Sequence, residues 1–125
     1  MRTYEYALLR AAPRVERGEY VNIGVVLYCQ ADDFLTVRLA ADGDRLRALD
    51  GDADVDGILD AAGALERTCA GEGPAGETSL GQRFRWLTAP RSTVVQAGPV
   101  HTGLTHDPDA EADRLLQLLV LPLSE

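Results

Sequence analysis

Three arginines, Arg10, Arg14 and Arg17, crowd the start of the stretch RAAPRVERGEYVNIGVVLYC, residues 10 to 29. A guanidinium fork suits a carboxylate or phosphate, which it can hold through two parallel hydrogen bonds. Glu16 and Glu19 lie in the same stretch, so two readings stand open: cations locked to the chain's own acids, or cations offered outward. Internal pairing is the reading for Arg14. Arg91 adds a further cation in a stretch free of acids. Asn22 interrupts an apolar run, where an amide needs a reason: a bond to the backbone of the neighbouring connection, or a ligand. His101 stands in GPVHTGLTH beside Thr102 and Thr105, and an imidazole next to hydroxyls can move protons. Nothing in the sequence fixes its partner, so a turn histidine without catalytic duty is the plainer reading. The candidate binding set is therefore Arg10, Arg17, Glu19, Asn22, Arg91 and His101, with no catalytic residue assigned.

Other chemistries are poorly served. Zinc needs three or four clustered ligands, yet Cys29, Cys69, His101 and His106 occur singly, without CxxC or HxxxH spacing. Asp50, Asp52, Asp54 and Asp56 alternate like a calcium loop, but the bidentate Glu that should close such a loop is missing. Helix capping and solvation explain these acids better. No Walker-type loop, no GxGxxG between strand and helix, and no GxSxG elbow occurs. No metal and no cofactor are expected.

The chain has 125 residues, 46% hydrophobic and 26% charged, a balance that supports a folded core removing roughly two thirds of the unfolded surface from water. A single domain over residues 1–125 is expected. The net charge is −8, and all twelve basic residues are arginine. That excess of acid disfavours unspecific attraction to nucleic acid or anionic lipid, so neither nucleic acid nor membrane is an expected partner. No apolar run approaches the roughly 20 residues that span a bilayer, and no secretory leader is evident, so a cytoplasmic protein is expected. Two cysteines make a poor disulfide framework, and both suit buried thiol positions.

These side chains need elements to hold them. From Thr3 to Ala11, Tyr4, Tyr6 and Leu8 alternate with Ala7, Leu9 and Ala11, as in a strand covered on both faces. Tyr20 to Cys29 reads as a central strand, with Val21, Ile23, Val25 and Leu27 on one face. Gly24 within it suggests a bulge or the close approach of a helix. Pro13 and Gly18 make residues 12–19 the connection of a long hairpin, which puts the arginines at a sheet end. Phe34 to Leu39 completes a meander.

Asp42 can cap a short helix ending at Leu49, and Asp52 or Asp54 a longer one that Gly71 terminates. Ser79 and Gln82 have capping-box spacing, opening a helix that Pro90 stops. Thr93 to Ala97 is strand-prone, and residues 98–108 allow at most a short strand around Val100. Asp107-Pro108 opens a last helix rich in leucine that must pack on the sheet or on another chain. Strands first and helices after give an α+β fold: an antiparallel sheet begun by an N-terminal three-stranded meander, packed with three to four helices. An open third strand and that leucine-rich helix also make a homo-oligomer conceivable.

The opening string YEYALLRAAPRVERGEYVNIGVVLYC resembles the bacterial family catalogued as domain of unknown function 3037. The resemblance is carried by Tyr6, Arg10, Pro13, Arg17, Gly18, Glu19, Asn22, Gly24 and Val25, and continues through Arg45-Leu46 and Asp107-Pro108. It implies no reaction. It does imply a partner, because members are often encoded beside proteins resembling HipA-type kinases. The leading expectation is a non-enzymatic binding or regulatory protein, with a HipA-like kinase as the partner. The alternative is a small enzyme or sensor that grips an anionic ligand through Arg10, Arg17 and Arg91, with Glu19 or His101 moving a proton. Whether the protein is an enzyme stays open at this point.

Overall fold

Alternation along the first strand sends its side chains into two separate cores. The computed structural model describes residues 1–123, so the last two residues of the domain expected over 1–125 lie outside it. β1 (Arg2–Ala11), β2 (Val21–Cys29) and β3 (Phe34–Leu39) form the antiparallel meander; β4 (Val95–Ala97) and β5 (His101–Thr105) both pair with the free side of β1. β4 lies opposite Leu9–Ala11 and β5 opposite Arg2–Tyr6, so the two form one edge broken at residues 98–100. Pro99, which has no N–H to give a ladder, falls in that break. The order is β3-β2-β1-β4, with β5 beside β4 on the β1 edge, and β3 is the opposite edge.

On one face Ala7, Leu9 and Ala11 meet α1 (Gly43–Leu49), α2 (Val55–Cys69) and α3 (Leu80–Thr88) through Leu46, Ile58, Leu65, Phe84 and Leu87. On the other, Tyr4, Val25, Leu27 and Cys29 meet Ala112, Leu115 and Val120 of α4 (Pro108–Leu119) and its C-cap. Among the described residues the architecture is α+β with four α-helices around an antiparallel sheet begun by the meander. Among the described residues no helix is long and apolar enough to cross a membrane.

The helix boundaries follow their caps. Asp42, Asp54, Ser79 and Asp107 each accept a first-turn N–H, and Ser79 with Gln82 completes a reciprocal box. Gly71, at φ 83°, ends α2 in the left-handed conformation that favours glycine.

Two expectations change. Val21 and Ile23 do not share a face with Val25 and Leu27: the pairing jumps from Leu9↔Gly24 to Arg10↔Asn22, leaving Ile23 as the extra residue of a bulge. One inserted residue reverses the alternation, so β2 feeds the first core before the bulge and both cores after it. Gly24 has its reason there, since a Cβ would stand 2.7 Å from the Arg38 carbonyl oxygen on β3. The close approach is made by a strand. The second change is β5, a five-residue strand beginning after Val100, where at most a short strand centred on that residue is expected.

Candidate functional site

At the hairpin end, residues Val15–Arg17 form a single 3₁₀ turn, closed by the Gly18 N–H on the Val15 carbonyl with Gly18 at φ 69°. This turn sets Arg14 and Arg17 beside the end of α1. Arg14 Nε donates to Asp50 Oδ2 at 2.7 Å, and Arg17 Nε to Glu19 Oε1 at 2.5 Å. Asp50 also accepts from the Asp52 N–H at 2.9 Å. That backbone donor first, and Arg14 second, hold its carboxyl below the ordinary range, while Glu19 raises the already high pKa of Arg17. Pro13, Leu49 and Gly51 join these four side chains around an open cleft of about 280 Å³. Each arginine uses only Nε within the described residues, so the outer nitrogens remain available to a partner.

Arg10 is elsewhere. Its neighbours Leu9 and Ala11 enter the first core, so Arg10 points to the α4 face, together with its pairing partner Asn22. Its guanidinium carbon lies 4.3 Å from the Tyr20 ring centroid. Asn22 Nδ2 donates to the main-chain oxygen of Leu119 at 3.1 Å, which satisfies one of the last carbonyls of α4. The hairpin connection does not receive that bond. His101 pairs with Tyr6 in the ladder and is exposed, its ring 5.3 Å from that of Tyr6 on the same face.

Arg91 folds back along α3: its Cζ lies 4.5 Å from the Trp86 ring and Nη2 donates to the Trp86 carbonyl at 2.5 Å. The loop carrying it touches the hairpin end, where the Ala12 N–H donates to Val94 O at 2.7 Å. Thus Arg10, Arg17 and Arg91 do not share one hollow. The structure brings Arg17 and Glu19 together in the cleft, places Arg10, Asn22 and His101 on the opposite sheet face, and stacks Arg91 on Trp86 at the adjoining loop.

Sequence reasoning passed over the side chains that fix α4 over the sheet. The Tyr4 hydroxyl donates to Glu111, which also takes two bonds from Arg114 at 2.6 and 2.7 Å. Burial, then Glu111, pushes the Tyr4 phenol up to about 12, whereas Arg114 holds the Glu111 carboxyl below its ordinary range against the effect of burial. Arg38 bridges from β3 to Asp109 and Asp113, and Arg45 Nη1 donates to Val120 O at 2.7 Å. Arg45 was visible as part of the family resemblance, but no local spacing reveals a partner 75 residues away.

A protein-family model described as "Protein of unknown function (DUF3037)" matches residues 6–120. The chain belongs to this family. The DUF3037 match runs from Tyr6 in β1 to the Val120 cap of α4, and so takes in the first core, the second core apart from Tyr4, the cleft and every candidate residue. No curated protein and no solved structure matches the chain.

Chemically, the cleft offers donors and paired carboxylates, with no hydroxyl, thiol or imidazole among its lining residues. The thiols of Cys29 and Cys69 are buried, and burial pushes Cys69 up to about 11, so it stays protonated at neutral pH. Among the described residues no group of three or more His, Cys, Asp or Glu could hold a metal ion.

Proposed function

We propose that this protein works by docking on another protein, and that its partner is a HipA-like kinase of the kind the family resemblance implies. The observation that supports docking is the hairpin end. Arg14 and Arg17 are each oriented by one acid through Nε and keep their outer donors toward an open cleft. Two cations alternate with two anions there, so the cleft suits a polar protein surface with charges of both signs better than a bare polyanion. The end of α3 and the adjoining loop supply the contact types that carry interfaces: Trp86 is 51% exposed with Arg91 stacked on it, and Val94 is 37% exposed. An arginine already held by a neighbouring acid loses less side-chain freedom on binding.

Co-expression with the neighbouring kinase tests this. A complex should survive size-exclusion chromatography, and Arg14→Ala with Arg17→Ala should weaken it by about tenfold or more. Failure of the two proteins to co-elute would overturn the reading. Unchanged affinity in the double variant would remove the cleft from the interface.

A further inference from the structure

We propose that Arg10 anchors a binding site for an organic oxyanion, a carboxylate or phosphate on an apolar body, on the sheet face beside α4. Among the described residues Arg10 forms no ion pair, and its Nε is buried without a hydrogen-bond acceptor. Arg2 Nε also lacks a well-aligned acceptor, but it has Asp32 Oδ1 at 2.5 Å; Arg10 has no such acid. A cation partly withdrawn from water without a counter-charge is unfavourable, and an incoming anion would recover that loss.

The guanidinium is also held ready. Tyr20 covers it at 4.3 Å, and it lies so close to Gly98 that a Cβ there would stand 2.8 Å from Cζ. Among the described residues no hydrogen bond engages the terminal nitrogens, and neither is fully buried. Beside them α4 lies over β2 and β3, leaving the β1 row half-covered. Leu8 and Tyr6 continue that row as a half-buried apolar floor, and Tyr20, 48% exposed, flanks its Arg10 end. A charged head on Arg10 with an apolar body along Leu8 matches this shelf. The site lies on the opposite sheet face from the Arg14–Arg17 cleft, so it stands or falls independently of the docking reading.

The test is an NMR titration of the full chain with benzoate, phenyl phosphate and uncharged benzamide, each to about 50 mM, a range that detects millimolar binding. The Arg10 Nε–H and Leu8 methyl signals should move and saturate with at least one anion, whose identity names the head group, and stay fixed with benzamide. Arg10→Gln should weaken that binding by about tenfold or more. The variant should also melt within about 5 °C of the parent, because it removes an unpaired charge rather than a structural ion pair. Equal binding of benzamide, undiminished binding to Arg10→Gln, no response at Arg10 to either anion, or a larger fall in melting temperature would each overturn the assignment.

Discussion

Asn22, in the second strand, donates its side-chain amide to the main-chain oxygen of Leu119, 97 residues further along the chain and 3.1 Å away. Arg45 takes the next carbonyl, that of Val120, at 2.7 Å. The last carbonyls of a helix have no partner within it, so these two side chains close the end of α4 and set its position over the sheet. Arg45→Ala should cost about 1 to 2 kcal/mol in urea unfolding, the scale of a hydrogen bond whose loss leaves a partly buried acceptor unpaired, and Asn22→Ala, whose bond is exposed, about 0.5 to 1 kcal/mol. Variants with unchanged midpoints would show that water serves those carbonyls equally well.

At its other end α4 is held by a network sensitive to pH. Glu111 is charged in the fold below its ordinary value of 4.5, so its contribution is fully present above that pH and is lost as pH falls through the depressed folded value. Tyr4 has the opposite sense. Its ordinary value is 10.0 and its folded value about 12, so the neutral phenol stabilises below pH 10.0, and this contribution disappears as pH rises toward 12. Stability measured against pH should fall at both limits. Glu111→Gln should flatten the acid limb and bring the tyrosinate absorbance transition of Tyr4 down toward 10.0, because it replaces a charged acceptor, which favours the protonated phenol, with a neutral amide oxygen. An unmoved Tyr4 transition would assign its shift to burial alone.

The same distinction between local and distant partners explains what could be read from the chain. β3 was legible to the residue, because Leu35, Val37 and Leu39 alternate and an Ala-Asp-Asp turn precedes them. The caps at Ser79 and Asp107 were legible, and that of α2 was narrowed to Asp52 or Asp54, because each cap acts within three residues. β5 was not: its sequence HTGLT has a glycine where alternation would place a side chain. That glycine is required by Tyr4, whose ring fills the space a Cβ would need, and Tyr4 is 99 positions earlier. In the candidate site, the hairpin placed Arg14, Arg17 and Glu19 together, since all lie in one connection. The bulge at Ile23 is what brings Asn22 alongside Arg10; Gly24 signalled a bulge, but periodicity could not place the extra residue.

At the cleft, Asp50 should respond only partly to loss of Arg14. The Asp52 N–H is the larger cause of its lowered pKa, and Arg14 the next. In carboxyl NMR titrations, Arg14→Gln should raise the Asp50 value while leaving it below the ordinary 3.8. The exposed Arg14–Asp50 pair should add little to global stability, so unfolding midpoints should barely change. A full return of Asp50 to its ordinary value would mean the backbone bond itself depends on Arg14.

Two glycines of the sheet and one in the break between β4 and β5 separate backbone constraint from side-chain constraint. A Cβ at Gly24 would stand 2.7 Å from the Arg38 carbonyl oxygen, which cannot move without parting β2 from β3, so Gly24→Ala should cost about 2 kcal/mol or more. At Gly103 the obstacle is the Tyr4 ring at 2.6 Å, and Tyr4 is buried and bonded to Glu111, so alanine there should also destabilise and lower the Tyr4 pKa as the ring shifts. At Gly98 the obstacle is the far end of Arg10, a flexible side chain with no hydrogen bond to break among the described residues. Gly98→Ala should therefore change stability by less than about 0.5 kcal/mol. It should nevertheless turn the guanidinium away from Tyr20 and weaken anion binding. A Gly98→Ala protein as destabilised as Gly24→Ala would mean that Arg10 is fixed by contacts stronger than the Tyr20 stack.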